Sequence, residues 1–309
     1  MKSLFLLLSL LIFSNAGPQW GFFAHRKINR LAVFTLPPEM LGFYKYNIDY
    51  LTEEAIAPDK RRYVVKEEAA RHYIDLDEYD TIPPIYWTDA VAKYSEDSLQ
   101  KYGILPWHIA LLSRQLTEAF KAGQKDRILR ISADIGHYIA DAHVPLHTTK
   151  NYNGQLTGQE GIHGFWESRL PELFSEEYDL LTGRAVYLPE IQQSIWEIIL
   201  SSNKAVDSVL NFEKQLTLSF PDDRKFSFET RGTTTVKLYS REFSEEYHIL
   251  LNRQVERQMK NSIRLTGNIW YTCWVNAGKP ALEMERIDKK SSEHHENAAI
   301  ISDDCHGKH

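Results

Sequence analysis

From His137 to His147 the chain reads His-Tyr-Ile-Ala-Asp-Ala-His-Val-Pro-Leu-His, and His163-Gly164-Phe165-Trp166-Glu167 follows shortly after. His137 and Asp141 stand four residues apart, as do His163 and Glu167. That spacing aims both side chains of a pair from one face of an α-helix, the geometry a metal ion needs. Imidazole and carboxylate together suit zinc better than calcium or magnesium, which prefer all-oxygen shells. A lone histidine is ordinarily a satisfied, partly buried imidazole. Two such pairs joined by His147 point instead to a metal centre held on helices.

The rest of the chain is written mostly for helix. Apolar residues recur at three- and four-residue spacing near 25–35, 38–55, 88–101, 106–122, 124–143, 163–174, 187–211 and 240–277. In the last of these Phe243, Tyr247, Leu250, Leu251, Val255, Met259 and Ile263 form one continuous stripe. Pro106 reads as a helix start and Pro145 as a helix stop. Thr233–Leu238 is the only plausible strand, and one strand makes no sheet. The glycines and amides of Asn151–Gly161 mark a loop. The expected fold is all-α: a single multi-helical domain with a metal cluster in a cleft.

Residues 1–16 read as a secretory signal, with Lys2 before an apolar run from Leu4 to Phe13 and small residues at Ser14 and Ala16. The run is too short to span a membrane, and no later stretch reaches about twenty apolar residues. The mature chain is therefore expected to be exported, periplasmic or extracellular, without stable membrane insertion, and monomeric. Residues 17–282 are assigned to the helical domain, and 283–309, rich in charge, to a polar, mobile tail. His294, His295, His306 and His309 belong to that tail and are read as solvated. The formal net charge of −6 offers no general basic surface for nucleic acid, so phosphate recognition must be local. Of the two cysteines, Cys273 lies in an apolar run and is expected to be a buried thiol, although export permits a bridge to Cys305.

Upstream of the histidine cluster stand Trp20-Gly21-Phe22-Phe23-Ala24-His25, Asp59-Lys60-Arg61-Arg62 and Arg71-His72-Tyr73-Ile74-Asp75. Taken in order with the later motifs, these resemble the zinc-dependent phospholipases C and the single-strand-specific S1/P1 nucleases. The resemblance anchors the first half of the chain only. It implies two to three zinc ions. Asp59, His72, His137 and Asp141 would hold the first, and His147, His163 and Glu167 the second, with a position left for water or substrate. His25 and the bridging Asp141 would hold the third, together with the amino group and carbonyl of an N-terminal tryptophan. Cleavage after Ala16 departs from that pattern, since it leaves Gly17-Pro18-Gln19 ahead of Trp20, and an amide nitrogen is a poor zinc donor.

The implied activity is zinc-dependent phosphodiester hydrolysis, with a metal-activated hydroxide attacking phosphorus in line. Asp59 and Asp141 would act at the reacting centre, and Arg62 or Arg61 would pair with a phosphate oxygen; a surface salt bridge is the competing reading for either arginine. Asp75 and Asp77 are candidates to orient imidazoles, with a solvated loop carboxylate as the competing reading, and His143 is expected to be structural or to support a ligand; His108 and His248 receive no role. The substrate is single-stranded nucleic acid or 3′-nucleotides, or else a phospholipid head group. Tyr152, Trp166, Tyr86 and Trp87 are candidates to stack a base, and Phe22-Phe23 to form an apolar rim. The alternative is a non-catalytic exported module with structural zinc, against which the three-ligand second site argues.

Overall fold

The computed structural model describes residues 21–283. The signal segment, Trp20, Cys305 and all of the tail after Glu283 lie outside the described residues.

Helices make up nearly all of the regular structure. They run α1 (Phe22–Ala32), α2 (Pro38–Tyr46), α3 (Ile48–Glu54), α4 (Ala57–Arg61), α5 (Trp87–Tyr94), α6 (Glu96–Tyr102), α7 (Leu105–Lys121) and α8 (Lys125–His143). There follow α9 (Ile162–Gly164), α10 (Leu170–Phe174), α11 (Ile191–Lys204), α12 (Val206–Ser219), the hairpin β1 (Phe226–Arg231) and β2 (Thr234–Tyr239), then α13 (Arg241–Leu250) and α14 (Gln254–Asn276). Tight 3₁₀ turns at Lys66–His72 and Pro145–Thr148, and a π-turn at Phe165–Arg169, join them near the histidines. The fold is all-α.

Helix α8 is the axis. It packs against α7, α14, α1, α3 and α11, and every residue from Gly136 to His143 is buried. Trp270 on α14 donates to the Ser132 carbonyl at 3.1 Å and stacks on Tyr44, whose hydroxyl meets Ser132 Oγ at 2.9 Å. Helix α1 approaches α8 closely at Gly136: a Cβ there would fall 1.7 Å from Asn29 Oδ1. Asn29 Nδ2 in turn donates to Ala133 O at 3.0 Å and Leu51 O at 3.2 Å, tying three helices together. This contact sets the depth at which His25, one turn earlier on α1, meets α8.

Pro106 sits in the first turn of α7, and Pro145 opens the 3₁₀ turn that follows α8, as the sequence indicates. Elsewhere the periodic segments are cut. The 38–55 segment breaks at Asn47, the 88–101 segment at Ser95 (φ 65°), and the 187–211 segment at Ala205, after which α12 runs on to Ser219. The 240–277 stripe is two helices, interrupted where Asn252 and Arg253 adopt φ 46° and 59°. Except for half-exposed Leu250, the stripe residues are still buried, because both helices pack the same core. Strand β2 is not alone. It pairs antiparallel with Phe226–Arg231 through Gly232-Thr233, where Gly232 takes φ 58° without steric cost, as the first position of a tight hairpin turn requires. The alternation of Phe226, Phe228 and Thr230 with polar neighbours is the overlooked strand signal.

Candidate metal centre

Six elements deliver side chains to one buried point: α1 brings His25, α4 Asp59, the Lys66–His72 turn His72, α8 both His137 and Asp141, the Pro145–Thr148 turn His147, and the α9–π-turn segment His163 and Glu167. The chain doubles back at Pro145 because proline cannot extend the α8 ladder, and His147 thereby returns beside Asp141. The π-turn keeps the four-residue pair in line, with His163 Nε2 and Glu167 Oε2 2.8 Å apart.

Asp141 lies at the middle and is 1% exposed. Its Oδ2 is 2.9 Å from His72 Nδ1 and 3.3 Å from His137 Nε2. Its Oδ1 faces the other way, 3.5 Å from His25 Nε2 and 3.9 Å from His147 Nε2. Asp59 Oδ1 closes the first group at 3.9 Å from both His72 Nδ1 and His137 Nε2. Glu167 is divided similarly: Oε2 lies 3.6 Å from His147 Nε2, while Oε1 lies 3.3 Å from His25 Nε2. The second of these contacts has no counterpart in the sequence reading, which gives Glu167 to one ion only. Three donor groups result: His25 with His137 and Asp141, Asp59 with His72 and His137, and His147 with His163 and Glu167. Within each, the ligand atoms lie within 4.8 Å of one another.

These residues fit zinc. The edge of a tetrahedral zinc site is roughly 3.4 Å, close to several of the separations above. His147 Nε2 is buried without a hydrogen-bond partner and points between two carboxylates. The outward nitrogens are held: His137 Nδ1 donates to Ala55 O at 2.9 Å, His147 Nδ1 to His72 O at 2.5 Å, and His163 Nδ1 to Tyr152 O at 3.0 Å. That fixes each tautomer with Nε2 as the free donor atom.

Electrostatics agrees. Burial works to raise the Asp141 carboxyl, yet facing His137, His147 and His72 hold it well below the usual carboxylate range; Glu167 behaves likewise against burial, through His147, His163 and His25. Burial opposes charge on His72, His137 and His163 too, but the facing carboxylates raise all three. A field that favours positive charge at these nitrogens favours a divalent cation in their midst.

Arg62, half-exposed, places Nη1 3.9 Å from Asp59 Oδ1 at the edge of the group. Arg61 turns inward to Asp134, Glu68 and Tyr138. Asp75 and Asp77 do not orient imidazoles, contrary to the sequence expectation. The extended backbone after His72 instead bonds Ile74 N to His147 O, and Asp77 accepts from Thr149 Oγ1 and Lys150 N, both at 2.9 Å. Backbone carbonyls hold His137, His147 and His163 in their place. His143 donates to Ile139 O at 2.7 Å, burial pushes it down to about 4, and it joins none of the donor groups among the described residues. His108 packs edge-on to Tyr138, and His248 stacks on Phe174. Cys273 is a buried thiol beside Ser113 O, pushed up to about 12 by burial. Glu68, wholly buried behind His72, was missed; its four-residue spacing from His72 was the available signal.

Two of the base-stacking candidates are packing residues: Trp166 is buried with Nε1 on Gln254, and Trp87 packs against Trp107. Tyr152 and Tyr86 are exposed, and the Tyr152 ring stands 6.4 Å from His163. Phe23 is exposed at 37%, with Lys27 over its ring. Among the described residues, no helix is long and apolar enough to cross a membrane.

No protein-family model and no curated protein matches the chain. Among solved structures, an alpha toxin from Clostridium absonum is similar at a TM-score of 0.46 and 12% identity, over 86% of this chain and 67% of that one.

Proposed function

We propose that the chain is an exported, zinc-dependent phosphodiester hydrolase. The observation that carries this reading is the division of Asp141, with one oxygen toward the Asp59–His72–His137 group and the other toward His25 and His147. A carboxylate placed so is suited to bridge ions a few ångströms apart. Bound zinc would supply Lewis acidity, activating water at neutral pH and neutralising charge on phosphoryl oxygens.

The chain's own residues would do the rest. Asp59, His72, His137 and Asp141 would hold the first ion, and His147, His163 and Glu167 would hold the second, three protein ligands being the number typical of a catalytic zinc. His25 and Asp141, with Glu167 Oε1 3.3 Å from His25, support a third ion. Arg62 stands beside Asp59 with its guanidinium part in solvent, placed to pair with a phosphate oxygen. Exposed Tyr152 beside His163 favours a substrate carrying a base, and an exposed Phe23 on α1 is the residue a lipid reading would use. A module with purely structural zinc fits less well, because three protein ligands leave the second site open.

The test is hydrolysis of a chromogenic phosphodiester by protein purified without a metal-affinity tag. Activity lost to chelator and restored by zinc is expected; metal-independent or absent turnover in zinc-loaded protein would overturn the reading. Single-stranded DNA, RNA, 3′-nucleotides and phosphatidylcholine as parallel substrates then identify the physiological class.

A further inference from the structure

His72 is turned the opposite way from His137, His147 and His163, the other imidazoles assigned to the first two ions. His137, His147 and His163 point Nε2 inward and give Nδ1 to a backbone carbonyl, whereas His72 points Nδ1 inward, 2.9 Å from Asp141 Oδ2. Its outward Nε2 faces a carboxylate instead, 3.7 Å from Glu68 Oε1. Glu68 is 0% exposed, an unusual place for a glutamate. It is held from three sides, and His72 faces it from the fourth: the Tyr138 hydroxyl donates to Oε1, Arg61 Nη2 lies at 3.4 Å, and Arg71 Nη1 donates to Oε2 at 2.7 Å.

We propose that Glu68 is a positioning residue for the metal centre, holding His72 as the Nε2–H tautomer so that Nδ1 is free to bind zinc. This rests on the zinc reading above. Glu68 and His72 lie on one 3₁₀ turn, four residues apart, so the carboxylate sits behind the ring by local geometry. The turn ends in an extended Tyr73, and Nε2 is buried with no backbone carbonyl or other hydrogen-bond partner, the Glu68 carboxylate facing it from 3.7 Å. Zinc on Nδ1 would make Nε2–H a stronger donor toward that carboxylate, whose negative charge in turn makes the ring a stronger ligand. Arg61 and Arg71 are part-exposed at 25% and 32%, so water could solvate them without a glutamate drawn fully into the interior. Their need for a counter-charge does not account for the burial; the position behind His72 does.

The experiment compares Glu68→Gln with Arg71→Gln, each titrated with zinc against a competing chelator alongside wild type. Glu68→Gln is expected to weaken one of the bound zincs by roughly 10–100-fold, and Arg71→Gln to change affinity by less than about threefold. Affinity unchanged in Glu68→Gln, or reduced equally in both variants, overturns the proposal while leaving the metal centre standing. A wild-type protein that binds no zinc overturns both. Should Glu68→Gln fail to fold, long-range ¹H–¹⁵N spectra of zinc-loaded wild type decide. A proton on His72 Nε2 with zinc-shifted Nδ1 supports the assignment, and zinc on Nε2 refutes it.

Discussion

Asp141 faces His72 and His137 with one oxygen and His25 and His147 with the other, whereas Glu167, divided between His147, His163 and His25, does not reach the Asp59–His72–His137 group. Asp141→Asn is therefore expected to lower kcat by more than the roughly 10–100-fold typical of losing an outer partner, and by more than Glu167→Gln. Steady-state kinetics on folded, zinc-loaded variants checks this; equal losses would mean that Glu167 is shared as fully as Asp141. Asp75 offers a separate test in stability. Burial, with Asp77 and Glu78 nearby, pushes it up to about 7 from an ordinary 3.8. The folded state thus binds this proton more tightly than the unfolded state, so the group costs stability progressively between those values, in full above about pH 7. Asp75→Asn should raise Tm at pH 8, and the gain should shrink toward zero as pH falls to 4. A gain independent of pH would place its cause elsewhere.

At the scale of elements, the α1–α8 crossing governs the centre. His25 and His137 stack with ring centroids 4.1 Å apart because Gly136 lets α1 lie close. Gly136→Ala inserts a methyl against buried Asn29, whose amide is tied to two carbonyls and cannot easily withdraw. Overpacking of about 1–3 kcal/mol outweighs the roughly 1 kcal/mol that alanine contributes to a helix. A fall in Tm of a few degrees by calorimetry is expected, against the usual sign of a glycine-to-alanine change in a helix interior. An unchanged or higher Tm would show that the crossing relaxes freely.

For the whole molecule, His72, His137 and Asp141 are almost wholly interior, where water is scarce. A cation bound there stabilises the folded chain by mass action, about 4 kcal/mol at a thousandfold excess over Kd. Chelation should lower Tm by roughly 10 °C, and zinc should restore it. Elemental analysis after zinc loading should give two to three ions per chain, since the seven side chains assigned to the first two sites exceed what one four-coordinate ion can use. A ratio of one or less would dissolve the cluster. At the N-terminus, cleavage after Ala16 would leave Gly17 first and Trp20 without a free amine. Intact mass of the mature protein distinguishes that start from one at Trp20.

The helical class, the proline boundaries of α7 and α8, and the juxtaposition of the His/Asp and His/Glu pairs could be read from spacing, because four residues along a helix is a local distance that the backbone alone sets. Which nitrogen of each ring faces inward could not. It depends on Ala55, His72 and Tyr152 carbonyls brought from far along the chain, and for His72 on a glutamate whose burial needs Tyr138 and two arginines. The contact of Glu167 with His25 belongs to the same class: the two residues stand on separate helical segments that meet only once α1 has settled against α8. So does the failure of Asp75 and Asp77 as imidazole partners, which follows from Ile74 pairing with His147 across the fold. Local spacing set the pairs of donor side chains, and long-range packing decided how each is held, because the partner of a buried polar atom is selected by what the tertiary structure brings within about 3 Å of it.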